Sequence, residues 1–197
     1  MVDTRFMNWV DFDALRKETD LVLMPFGAVE VYGPHLPMGA DGISTMALAE
    51  RVAAAEPAFV APLIPVGYSK ALMDFPGTLN VRPASLVAYT RDVAESYIGW
   101  GCKRILFING HASEFGTSVM LHLAGEHVKM ERAVRTEPKS GNAFPDFIRP
   151  RRYGDSTDTG VVGDGTLGTA EKGAETVRRA VARTLEFIRS DEFATPA

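Results

Sequence analysis

The chain has almost no cysteine, no long hydrophobic run and no excess of positive charge. One cysteine, Cys102, in 197 residues rules out an internal disulfide, which fits a reducing compartment and a cytoplasmic location. Cys102 lies just before the apolar run at 104–109 and reads as a small buried residue rather than a nucleophile. The opening stretch MVDTRFMNWVDFD lacks a basic start followed by an apolar run, so no secretory signal is expected. No apolar stretch approaches the roughly 20 residues needed to span a bilayer. With 25 acidic against 21 basic residues, the chain lacks the basic footprint of a nucleic-acid binder. There is no internal repeat, and glycine and proline are scattered, which indicates tight turns rather than low complexity.

What is present suits one globular domain over 1–197. Leu21-Val-Leu-Met24 is a short apolar run closed by Pro25 and Gly27 and reads as a buried strand. Ile43, Met46, Leu48 and Val52 fall at helical spacing, so a helix is expected over 42–56. A proline-rich strand follows over 59–66. Pro83 suits the first turn of a helix that runs to Trp100 and stops at Gly101. Arg104-Ile-Leu-Phe-Ile-Asn109 is the clearest strand. Further helices are expected over 113–128 and 169–190. Alternation of strands and helices implies a three-layer α/β/α fold around a mostly parallel sheet. Ligands of such sheets bind beyond the carboxyl ends of the strands. The stretch 131–158 breaks the pattern and reads as a long irregular loop, with Arg149, Arg151 and Arg152 as a basic cluster.

Two of the post-strand segments are rich in polar chemistry. Residues 27–41, GAVEVYGPHLPMGAD, hold Glu30, Tyr32, His35 and Asp41; residues 109–114, NGHASE, hold His111 and Glu114. Two carboxylates and an imidazole would suit a divalent metal with open positions. Each residue also has a plainer reading. Asp41 could cap the helix that follows it, His111 could bond backbone in a turn, and Glu114 could complement a helix dipole. Glu30, set among Val29 and Val31, needs a partner if buried. Ser69 and Thr78 flank the same region, as turn hydrogen-bonders or as substrate contacts. His122 and His127 carry no motif and read as surface or packing residues.

The motifs resemble the creatininase family. Its members carry G-[SA]-x-E-x-H-G-P-H-L-P-x-G-x-D after the first strand, F-P-G-T in the middle and a strand ending in N-G-H. This chain has Gly27-Ala-Val-Glu-Val-Tyr-Gly-Pro-His-Leu-Pro-Met-Gly-Ala-Asp41, Phe75-Pro-Gly-Thr78 and Ile108-Asn-Gly-His111. Gly163 to Gly173 resembles the family's closing glycine-rich turn and helix. The matches occur in family order and span most of the chain.

The resemblance implies a metal-dependent hydrolase of a small polar, often cyclic, amide or related carbonyl compound, acting through metal-activated water. Glu30, Asp41 and His111 would be the ligands of zinc, manganese or iron, and His35 a structural residue. Relatives of other kinds cleave a carbon–carbon bond in a cyclic polyol ketone, remove a formyl group or trim a peptide. The resemblance also implies a homo-oligomer, such as a hexamer.

There are three departures from the family pattern. Tyr32 stands where two-metal members place a second-ion histidine, and a phenol with a reference pKa near 10 is a poorer ligand. One ion per chain is therefore expected, with the second in doubt. Glu114 is one place away from the glutamate of creatininase itself, which leaves it as ligand, general base or helix-terminal carboxylate. The family's late histidine, which acts on substrate, has no counterpart in 131–158. Proton transfer then falls to Tyr32 or Glu114. A non-catalytic small-molecule-binding relative is the alternative that these losses favour.

Overall fold

The computed structural model describes residues 3–110, 116–137, 139 and 152–194. Its centre is a three-stranded parallel sheet in the order β2-β1-β3, made of β1 (Leu21–Phe26), β2 (Phe59–Val60) and β3 (Arg104–Asn109). Val22 pairs with Phe59, and Leu21 through Phe26 pair in step with Arg104 through Asn109. As the middle strand, β1 is covered on both faces, which is why it is a continuous apolar run rather than an alternating one.

The alternation is in which layer each residue faces. Leu21 and Leu23 pack with Ala49 and Val52 of α2 (Ala40–Ala53), with Ile188 of α5 (Ala170–Ile188), and with Val181 and Leu185 of the same helix. Val22 and Met24 pack with Phe59, Tyr97 and Cys102, and with Phe12 and Leu15 of α1 (Trp9–Leu15) and Val93 of α3 (Pro83–Gly99). One helical layer on each side of the sheet gives the three-layer α/β/α architecture. Cys102 is buried in the second cluster, and burial, then the Asp20 charge, pushes its thiol pKa up.

Several element boundaries differ from the sequence reading. β1 runs two residues past Met24, because Pro25 lacks only its donor: its carbonyl accepts from Ile64 N at 3.0 Å. The strand expected over 59–66 shrinks to β2, since Pro62 and Pro65 cannot donate to a ladder, and only a bridge between Phe26 and Ile64 remains. The helix expected from Gly42 starts at Ala40. The helix α1, absent from the sequence reading, is capped by Asn8, whose side chain accepts from Val10 N and Asp11 N.

Other boundaries agree closely. Pro83 opens α3, and Gly101, at φ +99°, follows its end. Of the helix expected over 113–128, the described residues form α4 (Gly116–Ala124), which ends four residues early and gives way to a single 3-10 turn at Gly125–His127. Thr169 caps α5 by accepting from Lys172 N. The last helix is the short α6 (Asp191–Ala194). Within 131–158 the described residues form only short turns and β4 (Arg135–Thr136), which pairs antiparallel with β5 (Gly163–Asp164). No described helix is long and apolar enough to cross a membrane.

Candidate metal centre

The segment that leaves β1 is pressed against the start of α2. A Cβ on Gly27 would lie 2.7 Å from the Gly42 Cα, so only glycine permits this approach. Glu30 N then donates to Met38 O at 3.0 Å and folds the segment back on itself. That turn brings the Tyr32 side chain over the helix, where its hydroxyl donates to Asp41 Oδ1. Gly39 is the N-cap of α2 and makes no side-chain cap bond, while Asp41 sits in the first turn, where a negative charge is favoured by the helix dipole.

Glu30 and Asp41 are each 2% exposed. A carboxylate that far from water needs donors or cations around it. Ser69 supplies one donor: its Oγ donates to Glu30 Oε2 at 2.5 Å, and Ser69 N donates to Asn80 Oδ1 at 2.9 Å, which fixes its loop. The loop is tied to the Glu30 segment by Leu79 N donating to Val29 O at 2.8 Å. Thr78 in the same loop is buried, and its hydroxyl has no partner among the described residues.

His35 serves as a strut. It is 3% exposed, its Nε2 lies 2.8 Å from Thr117 Oγ1 of α4, and its carbonyl accepts from Lys129 N. Burial lowers its pKa, so the ring stays neutral and joins the Glu30 segment to α4. This fits the structural role inferred from its motif position. His122 and His127 are exposed.

The other post-strand segment reaches the same place. A Cβ on Gly110 would lie 2.6 Å from Thr45 Cγ2 and 3.1 Å from Asp41 O, so the chain passes Asp41 one residue before His111. His111 and Glu114 lie outside the described residues. Among the described residues, no group of three histidine, cysteine or acidic side chains is poised to hold a metal. A cavity of about 150 Å³ opens beside Tyr32 and Asp41 and is walled by Thr45, Asn109, Met120 and Val177. Glu30, Ser69 and Thr78 do not line it. A wider groove of about 490 Å³ lies elsewhere, between Leu106–Asn109 and the Arg183–Glu192 end of the chain.

Two buried carboxylates in the stretch from the end of β1 to the first turn of α2, each accepting from a neutral hydroxyl, suit a hard or borderline divalent cation. The sequence reading missed the hold of Ser69 on Glu30 and the tie between His35 and Thr117. Both join residues far apart in the chain, and no local spacing announces them.

Comparison with known proteins identifies the family. The family profile for creatinine amidohydrolase matches residues 5–113 and 110–188. The chain belongs to the creatininase family. Among its family relatives, the 3-dehydro-scyllo-inosose hydrolase of Thermotoga maritima is 31% identical over 54% of this chain and 34% of that protein. The creatinine amidohydrolase of Pseudomonas putida is 32% identical over 53% of this chain and 43% of that protein. The mycofactocin precursor peptide peptidase of Mycobacterium tuberculosis is 28% identical over 77% of this chain and 78% of that protein. The chain thus spans less than half the length of two of these relatives and about three quarters of the third. Among solved structures, a manganese creatininase superposes with a TM-score of 0.87 at 21% identity, over 98% of this chain and 99% of that one. A Bacteroides fragilis protein described as a putative creatinine amidohydrolase gives 0.85 at 22% identity, over 100% and 97%. Likeness at these identities shows that the creatininase fold is shared.

Proposed function

We propose that this member of the creatininase family is a metal-dependent hydrolase of a small polar, cyclic amide or related carbonyl compound. The observation that carries the reading is the Tyr32 hydroxyl bonded to Asp41, beside a Glu30 that Ser69 holds in place. Glu30, Asp41 and His111 would hold one divalent ion, zinc, manganese or iron. Structures titled as manganese and zinc–zinc forms of creatininase support a metal of this kind. When bound, the ion would polarise a carbonyl and lower the pKa of water.

The residues of the chain do the remaining work. Asp41 keeps the Tyr32 phenol aimed across the site, and the same hydroxyl can turn to donate to a substrate oxygen. Glu114 is the other candidate for proton transfer. Ser69 keeps Glu30 in one rotamer, and Thr78 offers a hydroxyl to substrate.

A second reading is favoured by the similarity to the inosose hydrolase: cleavage of a carbon–carbon bond in a cyclic polyol ketone. Both readings use the same site. They separate when the metal-loaded chain is incubated with creatinine and with the inosose and the products are identified by mass spectrometry. Failure of both substrates, together with no bound metal, would favour a non-catalytic binding relative.

The active form is a homo-oligomer. Trp9 and Trp100 are 80% and 61% exposed, and Phe12 of α1 lies edge-on to Trp100 at 6.5 Å, so α1 and the end of α3 share an apolar face. A second copy would remove that face from water.

A further inference from the structure

Three helices meet around a space beside Tyr32. The cavity of about 150 Å³ next to Tyr32 and Asp41 is walled by Ala40 and Leu48 of α2, Val119 and Met120 of α4, and Val177 and Ala180 of α5. Met120 and Val177 are buried, yet neither belongs to the two clusters that pack on the sheet. They line open space instead of core.

The hydroxyls around the cavity do not make it polar. Ser44 Oγ donates to Ala40 O at 2.9 Å, Thr45 Oγ1 to Asp41 O at 2.9 Å, and Thr176 Oγ1 to Lys172 O at 2.7 Å. Each bond returns to the residue's own helix, so these donors are engaged locally. Among the described residues that line the cavity, the polar side chains that remain are Tyr32, Asp41 and the exposed Asn109. The Tyr32 hydroxyl donates to Asp41 Oδ1, and a Cβ on Gly116 would lie 3.8 Å from Tyr32 Cε1. The phenol therefore links the first turn of α2 to the start of α4 along one wall of the cavity. That wall is polar and belongs to the candidate metal centre, and the facing walls are hydrocarbon.

We propose that this cavity is the specificity pocket of the site and receives a compact apolar group, no larger than a phenyl ring, carried by the carbonyl substrate. This deepens the reading of the site as a metal-dependent hydrolase of carbonyl compounds and rests on it. Dry apolar cavities of roughly this size take up benzene. Empty apolar space costs stability in proportion to its volume, and an entering hydrocarbon group restores the lost contacts. A hydroxylated ring would bury its hydroxyls there without partners, a penalty that hydrocarbon avoids. The carbonyl end stays at the Tyr32 and Asp41 wall, where the phenol can donate to it. The pocket thus selects an amide or related carbonyl compound with a small hydrocarbon arm over a polyol ketone.

Calorimetric titration of hydroxamates into the zinc-loaded full-length chain tests this, with zinc measured on the same samples. Acetohydroxamate carries only a methyl group, benzohydroxamate a phenyl ring, and a biphenyl hydroxamate an arm too long for the cavity. Benzohydroxamate should bind about ten- to a hundred-fold more tightly than acetohydroxamate, and the biphenyl compound should lose that gain. Ala180→Leu, which adds an isopropyl group to the wall, should abolish the gain while zinc content and acetohydroxamate affinity stay unchanged. Fluorobenzene, followed by fluorine NMR, has no group for a metal; it should bind wild type and be displaced by benzohydroxamate. At full zinc, affinity that keeps rising through the biphenyl compound would overturn the proposal, as would a gain that survives in Ala180→Leu. Fluorobenzene that stays bound under benzohydroxamate would separate the cavity from the metal and overturn it too. If Ala180→Leu does not fold, the wild-type size series and the displacement decide alone. A wild type that takes up no zinc would instead remove the reading of the site itself, and the proposal with it.

Discussion

The Tyr32 hydroxyl donates to the Asp41 carboxylate across the turn that follows β1. The contact joins a residue that departs from the family pattern to one that matches it. A phenol at this place can hold Asp41 in position and present a proton, but it is a weak ligand for a second ion at neutral pH.

Removal of that hydroxyl by Tyr32→Phe should leave metal content unchanged and lower turnover roughly 10- to 1000-fold. Tyr32→His should raise the capacity to two ions per chain. Metal stoichiometry by mass spectrometry, with steady-state rates on the same samples, checks both. Full activity in Tyr32→Phe would reduce the phenol to a pocket filler.

Ser69→Ala should act through Glu30. Loss of a hydrogen bond to a buried charged group costs about 1.5–3 kcal/mol of stability. Loss of a partner that orients a metal ligand typically costs about 10- to 100-fold in metal affinity. A lower thermal midpoint together with weaker metal binding in a competition with a chelator is the expected pair of results. A change in stability alone would separate Ser69 from the metal.

The sheet was legible in the sequence, and the site was legible only in part. β1 stands out because a parallel strand covered on both faces must be apolar throughout, and β3 stands out by its apolar run although only Ile108 in it is buried; Gly27 and Gly110 mark where each stops. α1 escaped because a seven-residue helix offers barely two turns of periodicity, and its Asn8 cap is a weak signal by itself. Of the two readings of Asp41, cap or ligand, the structure removes the cap, because Gly39 holds that position and the Asp41 carboxylate accepts from Tyr32 instead. Ser69 meets Glu30 across 39 residues and His35 meets Thr117 across 82, distances at which only the folded chain relates one residue to another. Motif order, rather than spacing, pointed to the Glu30 and Asp41 region.

Packing of α5 on α4 depends on Gly173, where a Cβ would sit 1.9 Å from Ser118 O. Gly173→Ala should destabilise the fold by about 1–3 kcal/mol or more in urea unfolding. Gly99→Ala, at a position with nothing within 4 Å, should be neutral or stabilise by up to about 1 kcal/mol. Equal effects would mean that the two helices do not meet at Gly173.

His35 gives the fold a pH dependence of known sign. Burial lowers its pKa in the folded state, so the unfolded chain binds the proton more readily. Its contribution is fully present above the unfolded value of about 6.5 and is lost as pH falls through that value toward the folded one. Thermal midpoints should therefore drop below about pH 6.5, and His35→Asn should flatten that part of the profile. A midpoint that rises on acidification through this range would contradict the buried neutral ring.

The metal content of the chain, purified without added metal, tests the central claim most directly. The account predicts about one equivalent of zinc, manganese or iron per chain in the wild type and little in Glu30→Gln, Asp41→Asn or His111→Ala. A wild type that carries no divalent ion and takes none up from micromolar zinc would contradict it.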